Sequence, residues 1–404
     1  MNRTDSDKRV YVAGTFDTKS EELLYVDALL KAAGLATVRV DLSTPTGAAR
    51  RKDTELTPEQ IAALAPESAQ ILALNDRGKS IEVMADAFAK FMATRTDVAG
   101  IIGLGGSGNS SLVSAGMRAL PVGIPKMMVS TQAGGGSYVG ATDICMMYSV
   151  TDIAGLNSIS RKVLANAAHA LAGMVLRELP GDVHSKPAIG MTMFGVTTPC
   201  VTQIRQALEK NYDCLVFHAT GLGGKSMEKL IDSGMIVAAV DITTTEVPDF
   251  LMGGVCSAGE DRFGAYIRTK IPAVFSTGAL DMVNFGHIET VPEKYRGRNF
   301  YKHNPHATLM RTSRDENVAM GKWIGAKLNA CEGPVRFLIP EKGISAIDAP
   351  GKAFYDAEAD AALFETLEKT IKPTANRRVF RLPFHINDAG FASACVEQFR
   401  EILK

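Results

Sequence analysis

VAGIIGLGGSGNSSLVSAGMRAL, residues Val98 to Leu120, decides the fold. Val98 to Ile102 is a short apolar run that reads as a buried strand. Gly103, Gly105, Gly106 and Gly108 follow, and Asn109, Ser110 and Ser111 open a segment with apolar residues at helical spacing. Strand, glycine loop and helix N-terminus together form an anion-binding arrangement. Glycines let backbone come close, free N–H groups point outward, and the positive end of the helix dipole favours phosphate. Ser107, Ser110 and Ser111 add hydroxyl donors. The spacing is not the dinucleotide fingerprint, and no Lys-Ser or Lys-Thr pair follows as in a Walker loop. A tight βα turn gives the same pattern, but a phosphate-bearing ligand is the favoured reading.

Working outward, Arg9 to Gly14 is a first strand that runs into Thr15-Phe16-Asp17-Thr18-Lys19. A helix follows, with Ser20 as its cap and Leu23, Leu24, Val26, Leu29 and Leu30 on its apolar face. Leu35 to Leu42 is the second strand, its end marked by Asp41, Ser43 and Thr44. Strand, helix, strand within so short a span predicts a parallel sheet with right-handed crossovers. Ligands of such sheets sit beyond the carboxyl ends of the strands. Asp17, Thr18, Lys19, Ser43, Thr44 and the Gly105 loop all fall there. Asp76-Arg77-Gly78-Lys79 is a polar turn before a helix from about Ser80 to Ala93. Arg77 is either solvated surface or a bidentate phosphate partner. Thr57-Pro58-Glu59-Gln60 reads as a helix start.

Pro180 to Pro187 is turn-rich and polar, and it makes the best domain boundary. The expected fold class is α/β, two Rossmann-like parallel-sheet subdomains in tandem, residues 1–183 and 184–404. In the second, strands are expected at 188–194, 214–219, 236–240, 272–275, 335–339 and 379–382. Their ends carry Thr197-Thr198, His218 to Ser226, Asp241 to Glu246, Ser276 to Asp281, Glu341-Lys342-Gly343 and His385 to Asp388. Six polar strand ends at one sheet edge predict a second polar crevice. Ala219 to Ser226 also fits a loose Walker A pattern, but its first position is Ala and the acidic strand end, Asp241, comes too soon. His218, Asp241, Glu246 and His385 are the candidate catalytic residues. The histidines have no zinc-like spacing, and the metal ligands stay unassigned.

Composition narrows the classes. Lys plus Arg and Asp plus Glu both number 44, so nothing points to nucleic acid. No apolar run approaches the roughly 20 residues of a membrane span. Six scattered cysteines without CxxC pairs fit a reducing cytoplasm.

GTFDTK, GLGGSGNSS, LPVGIPK, TMFGVTTPC, LVFHATGLGG, DITTTEV, GALDMVNFG, PEKGISAIDAPG and PFHIND together carry a resemblance that covers nearly all residues from Val10 onward. The chain resembles the ATP-binding N-terminal domain of the tomato mosaic virus resistance protein and its bacterial and fungal relatives. The resemblance implies two α/β subdomains, ATP in the first, and a homodimer. It places nucleotide contacts on Asp17, Thr18, Lys19, Thr44, Arg77, Gly106, Ser107, Gly108 and Asn109. Asn109 and Phe16 depart from the family pattern, which has glycine and a small residue there. The expectation is an ATP- and Mg²⁺-dependent enzyme acting on a small molecule held by the second subdomain. The alternative is a nucleotide-gated binding protein that breaks no bond.

Overall fold

Along the first strand, β1 (Arg9–Gly14), side chains alternate between two cores. Val10 and Val12 pack with Leu23, Val26 and Leu171 on one face of the sheet. Tyr11 and Ala13 pack with Met84, Phe88 and Val113 on the other. A strand buried on both faces belongs to a parallel sheet covered by helices on each side. The computed structural model describes residues 8–44, 54–65, 76–132, 136–177 and 186–404. The chain divides into two units, Met1–Asp182 and Val183–Lys404. The expected boundary stretch from Pro180 to Ser185 lies outside the described residues.

The first unit continues through α1 (Phe16–Ala32), β2 (Thr37–Asp41), α2 (Pro58–Ala62), α3 (Arg77–Ala93), β3 (Val98–Gly105) and α4 (Ser107–Ala119). It ends with β4 (Lys126–Ser130), the short α5 (Gly136–Val139), β5 (Cys145–Tyr148) and α6 (Ser158–Leu176). The strand order is β2-β1-β3-β4-β5, with every pairing parallel. This is the doubly wound order in which the crossover direction reverses between β1 and β3. The loops after those two strands therefore diverge and leave a crevice.

The second unit repeats the scheme with β6 (Ala188–Met193), α7 (Thr198–Leu208), β7 (Asp213–His218), α8 (Leu222–Asp232), β8 (Ala238–Thr243), α9 (Glu246–Met252) and α10 (Gly264–Thr269). Next come β9 (Ala273–Gly278), β10 (Met282–Phe285), β11 (Phe300–Asn304), β12 (Ala307–Arg311) and α11 (Arg314–Ala330). It closes with β13 (Val335–Pro340), α12 (Ala357–Thr370), β14 (Arg377–Leu382) and α13 (Ala389–Ile402). Its main sheet is parallel in the order β14-β13-β9-β8-β6-β7. Val335, Phe337 and Ile339 of β13 face one core and Leu338 the other. A three-stranded antiparallel sheet, β10-β12-β11, is an addition that the sequence reading did not anticipate.

Several boundaries differ from expectation. Helix α1 begins at Phe16, not after Ser20, because the Phe16 N–H donates to Asp41 Oδ1 at 3.1 Å. Helix α3 begins at Arg77 because Asp76 caps it, its side chain accepting from the Lys79 N–H. Strand β3 runs on to Gly105, since Gly103 and Gly105 pair with Met128 and Ser130 of β4. The helix start read at Thr57-Pro58-Glu59-Gln60 is that of α2, and Thr57 caps it in a reciprocal capping box with Gln60.

Candidate functional site

Asp41, at the buried end of β2, fixes the geometry of the crevice between β1 and β3. Its Oδ1 accepts from the Phe16 N–H, the Ser43 N–H and the Ser43 hydroxyl. The Ser43 hydroxyl oxygen in turn accepts from the Asp17 N–H at 3.2 Å. One carboxylate thus locks the loop after β1 against the loop after β2, and both line a cleft of about 430 Å³. All nine residues expected to contact nucleotide line it: Asp17, Thr18, Lys19, Thr44, Arg77, Gly106, Ser107, Gly108 and Asn109. Lys19 reaches the cleft from a kink, with φ −127° and ψ 18° inside an otherwise helical turn.

The cleft floor is the N-terminus of α4. Gly106 precedes the helix in extended conformation and no side chain caps it, so the first-turn N–H groups are left for a ligand or water. Gly105, at φ 147°, adopts backbone that side-chain-bearing residues avoid, and a Cβ there would collide with Asn109. Asn109 Nδ2 donates to Thr15 Oγ1 and to the Leu104 carbonyl, tying this loop to the loop after β1. Lys19 and Arg77 have no ion-pair partner among the described residues. Two unpaired cations and an uncapped helix start make the cleft receptive to an anion. Thr15, Ile81, Leu112 and Asp152 also line it and escaped the sequence reading. Asp152 follows β5, a short edge strand whose half-exposed pattern gave no periodic signal.

The second unit brings its candidate residues into different surroundings. Asp241 and Glu246 are fully buried with Glu228 around Arg262. Asp241 Oδ1 accepts from Arg262 Nη2 at 2.7 Å and from the Thr192 hydroxyl, and Oδ2 accepts from the Tyr266 hydroxyl. Glu246 Oε2 accepts from Arg262 Nε at 2.8 Å. Its Oε1 accepts from the N–H groups of Gly221 and Gly224 at 2.7 and 3.0 Å. The glycine loop that mimics a Walker motif is therefore filled by the protein's own carboxylate. A Cβ on Gly224 would collide with Glu246 Oε2. Burial pushes the Glu228 and Glu246 carboxyls upward against the pull of Arg262. These groups are buried and tied together through Arg262.

Several of the strand-end polar groups expected at the second crevice are buried. Thr197 and Thr243 hydroxyls pair at 2.7 Å, and Thr192, Thr244, Thr245, Ser276 and Thr277 are all buried. His218 is exposed and packs its ring on Phe194, centroids 5.2 Å apart. His385 is engaged at both ring nitrogens: Nδ1 accepts from the Asn387 N–H, and Nε2 lies 2.9 Å from the Ser345 carbonyl. With Nδ1 accepting, Nε2 is the nitrogen that donates, to the Ser345 carbonyl. His218 and His385 sit at the ends of β7 and β14, the two opposite edges of the sheet. The structure does not bring the four candidates together in one site.

A second buried cluster has a pH consequence. Arg311 Nη2 donates to Asp360 Oδ1 at 2.6 Å and lies 3.8 Å from Asp348 Oδ1. Asp281 Oδ2 accepts from the Ser345 hydroxyl, while its Oδ1 finds no donor. Burial, followed by the neighbouring Asp348, raises Asp281 to about 7. Burial raises Asp360 to about 8 against Arg311. Both values exceed those of the unfolded chain, so the folded state keeps protons that the unfolded state releases between about pH 4 and pH 8. The stability that these two carboxyls contribute is thus greatest below that window and falls as pH rises through it. The isosteric Asp281→Asn cannot ionise, so from pH 5 to pH 9 it should gain about 3 kcal/mol relative to the parent. Urea unfolding at the two pH values measures the difference.

Among the described residues, no three His, Cys, Asp or Glu side chains converge as metal ligands, and no helix is long and apolar enough to cross a membrane. Fold and site define a tandem Rossmann-like α/β protein with a cation-lined cleft at the switch point of its first unit. The chain belongs to the Uncharacterised protein family (UPF0261): the family's N-terminal domain matches residues 8–180 and its C-terminal domain residues 186–403. It is 56% identical over 401 residues to the UPF0261 protein RA0729 of Rhizobium meliloti, covering 98% of this chain and 99% of that one. It is 45% identical to a UPF0261 protein of Clostridium tetani, covering 98% and 99%. It is also 42% identical to the ToMV resistance protein Tm-1(GCR237) of Solanum lycopersicum, with 98% of this chain covering 56% of the tomato protein. The resemblance drawn from the motifs therefore holds along the whole chain.

Proposed function

We propose that the first unit binds ATP in the cleft between β1 and β3. We further propose that the chain is an ATP-dependent enzyme of the cytoplasm, working as a homodimer on a small molecule held by its second unit. The observation that carries the nucleotide reading is the uncapped start of α4, facing a cleft lined by Lys19 and Arg77, which have no ion-pair partner among the described residues. The α4 N–H groups and the Ser107 hydroxyl are the donors for phosphate oxygens, and Lys19 and Arg77 supply charge. Ile81 and Leu112 offer apolar surface for a base. Mg²⁺ is bound largely by phosphates and needs few protein carboxylates, which Asp17 and Asp152 on the cleft wall can provide. There it would shield phosphate charge during transfer.

The contrast between the two glycine loops favours this placement. The loop at Gly221 gives its N–H groups to Glu246, whereas among the described residues no side chain caps the helix that opens at Gly106. Titration of the whole chain with ATP and Mg²⁺, with released phosphate followed in the same cell, tests the proposal. Saturable binding with slow phosphate release supports an ATP-using enzyme. Binding with no release, even when candidate substrates are added, would leave the nucleotide-gated binding protein as the reading. Absence of binding would sink both.

A further inference from the structure

An open cavity of the second unit lies toward the edge of its sheet formed by β13 and β14. About 290 Å³ of space lies at the carboxyl ends of β13 and β14. Glu341, Lys342 and Gly343 border it from the loop after β13, and Arg381 from β14. Helix α12 forms the opposite wall with Ala361 and Phe364, and Asp360 closes the floor. The volume is near the lower end of the roughly 300–1,000 Å³ of small-molecule sites, so the occupant is small.

Charge around the cavity selects its chemistry. Arg381 is already committed: its guanidinium lies over the Phe364 ring at 5.5 Å and within 3.4–3.5 Å of Glu341 and Glu368. Lys342 is exposed and has no ion-pair partner among the described residues. The floor is the outermost carboxyl of the Asp281, Asp348 and Asp360 group, which shares the single guanidinium of Arg311. Burial raises the Asp360 carboxyl to about 8, so at neutral pH the floor does not repel an anion. Tyr355, Pro350 and Phe364 supply apolar and aromatic wall.

We infer that this cavity is a binding site for a small carboxylic acid carrying a hydroxyl or carbonyl oxygen, with its carboxylate on Lys342 and its second oxygen at the Asp360 carboxyl. The inference rests on the reading that the second unit holds a small molecule, and it gives that molecule a place and a class. It is tested without nucleotide, so that the two readings fail separately.

The experiment is saturation-transfer NMR on the full chain with lactate, 2-oxobutyrate and salicylate, each at about 10 mM, and with lactamide as the uncharged counterpart of lactate. At least one acid is expected to receive saturation, and lactamide much less. Lys342→Ala, at an exposed position, and Ala361→Leu, which adds bulk to the cavity wall, should each weaken the signal about fivefold or more. Unchanged circular dichroism would show that both variants fold. Silence from all three acids, equal signals from lactate and lactamide, or full binding by folded variants would overturn the inference. Acid binding by a chain that ignores ATP would leave this site standing and remove the nucleotide reading.

Discussion

Replacing Arg262 by alanine is expected to cost the second unit about 3–5 kcal/mol, the usual penalty for removing one partner of a buried ion cluster. The Arg262 guanidinium contacts Asp241, Glu246 and Glu228 at 2.7, 2.8 and 2.9 Å and lies 4.6 Å from the Phe263 ring centroid. Without it, three buried carboxyls keep only neutral donors and repel one another. The chain's single tryptophan reports on this region, because Trp323 packs against Phe263 with centroids 6.0 Å apart. Its fluorescence therefore follows urea unfolding of the second unit. Arg268→Ala is the control: Arg268 is exposed and pairs with Asp232 and Asp261, so its loss should cost under about 1 kcal/mol. Equal midpoints for the two variants would show that the cluster contributes no more than a surface pair.

Gly106→Asp should lower ATP affinity by at least about a hundredfold while leaving the fold intact. A Cβ at Gly106 meets only the Thr131 hydroxyl, at an ordinary 3.7 Å, and the backbone is extended, so aspartate fits. An acidic side chain at this position even favours the helix dipole. The same carboxylate would stand where the proposal puts phosphate. Two unit charges about 4 Å apart repel by about 4 kcal/mol at an effective dielectric near 20, and a triphosphate carries several. Gly106→Ala, which adds no charge, should bind within about tenfold of the parent. Calorimetry on the three proteins checks this, and undiminished binding by the aspartate variant would move the phosphates elsewhere.

Much of this architecture was readable because each clue was local. The strand, glycine loop and helix at Val98 to Leu120 announce themselves within one stretch. The nine cleft residues could be grouped because all lie in loops or helix starts at one edge of the first unit's sheet. The second unit hid its logic in long-range pairs. Arg262 meets its carboxylates across 16, 34 and 21 residues, and no motif marks it. Glu246 looked like a strand-end catalytic acid, yet it fills a glycine loop 22 residues upstream. The antiparallel strands β10 and β12 are separated by an exposed excursion through β11, whose polar pattern reads as loop. Polar strand ends signal a crevice only where their partners are absent, and sequence does not show partners at such separations.

The most direct test of the central claim is a crystal structure of the full chain with Mg²⁺ and a non-hydrolysable ATP analogue. The account predicts phosphate oxygens within hydrogen-bond distance of the N–H groups opening α4, with Lys19 and Arg77 turned toward them. An analogue bound elsewhere, or a cleft left empty at saturating analogue, would contradict it.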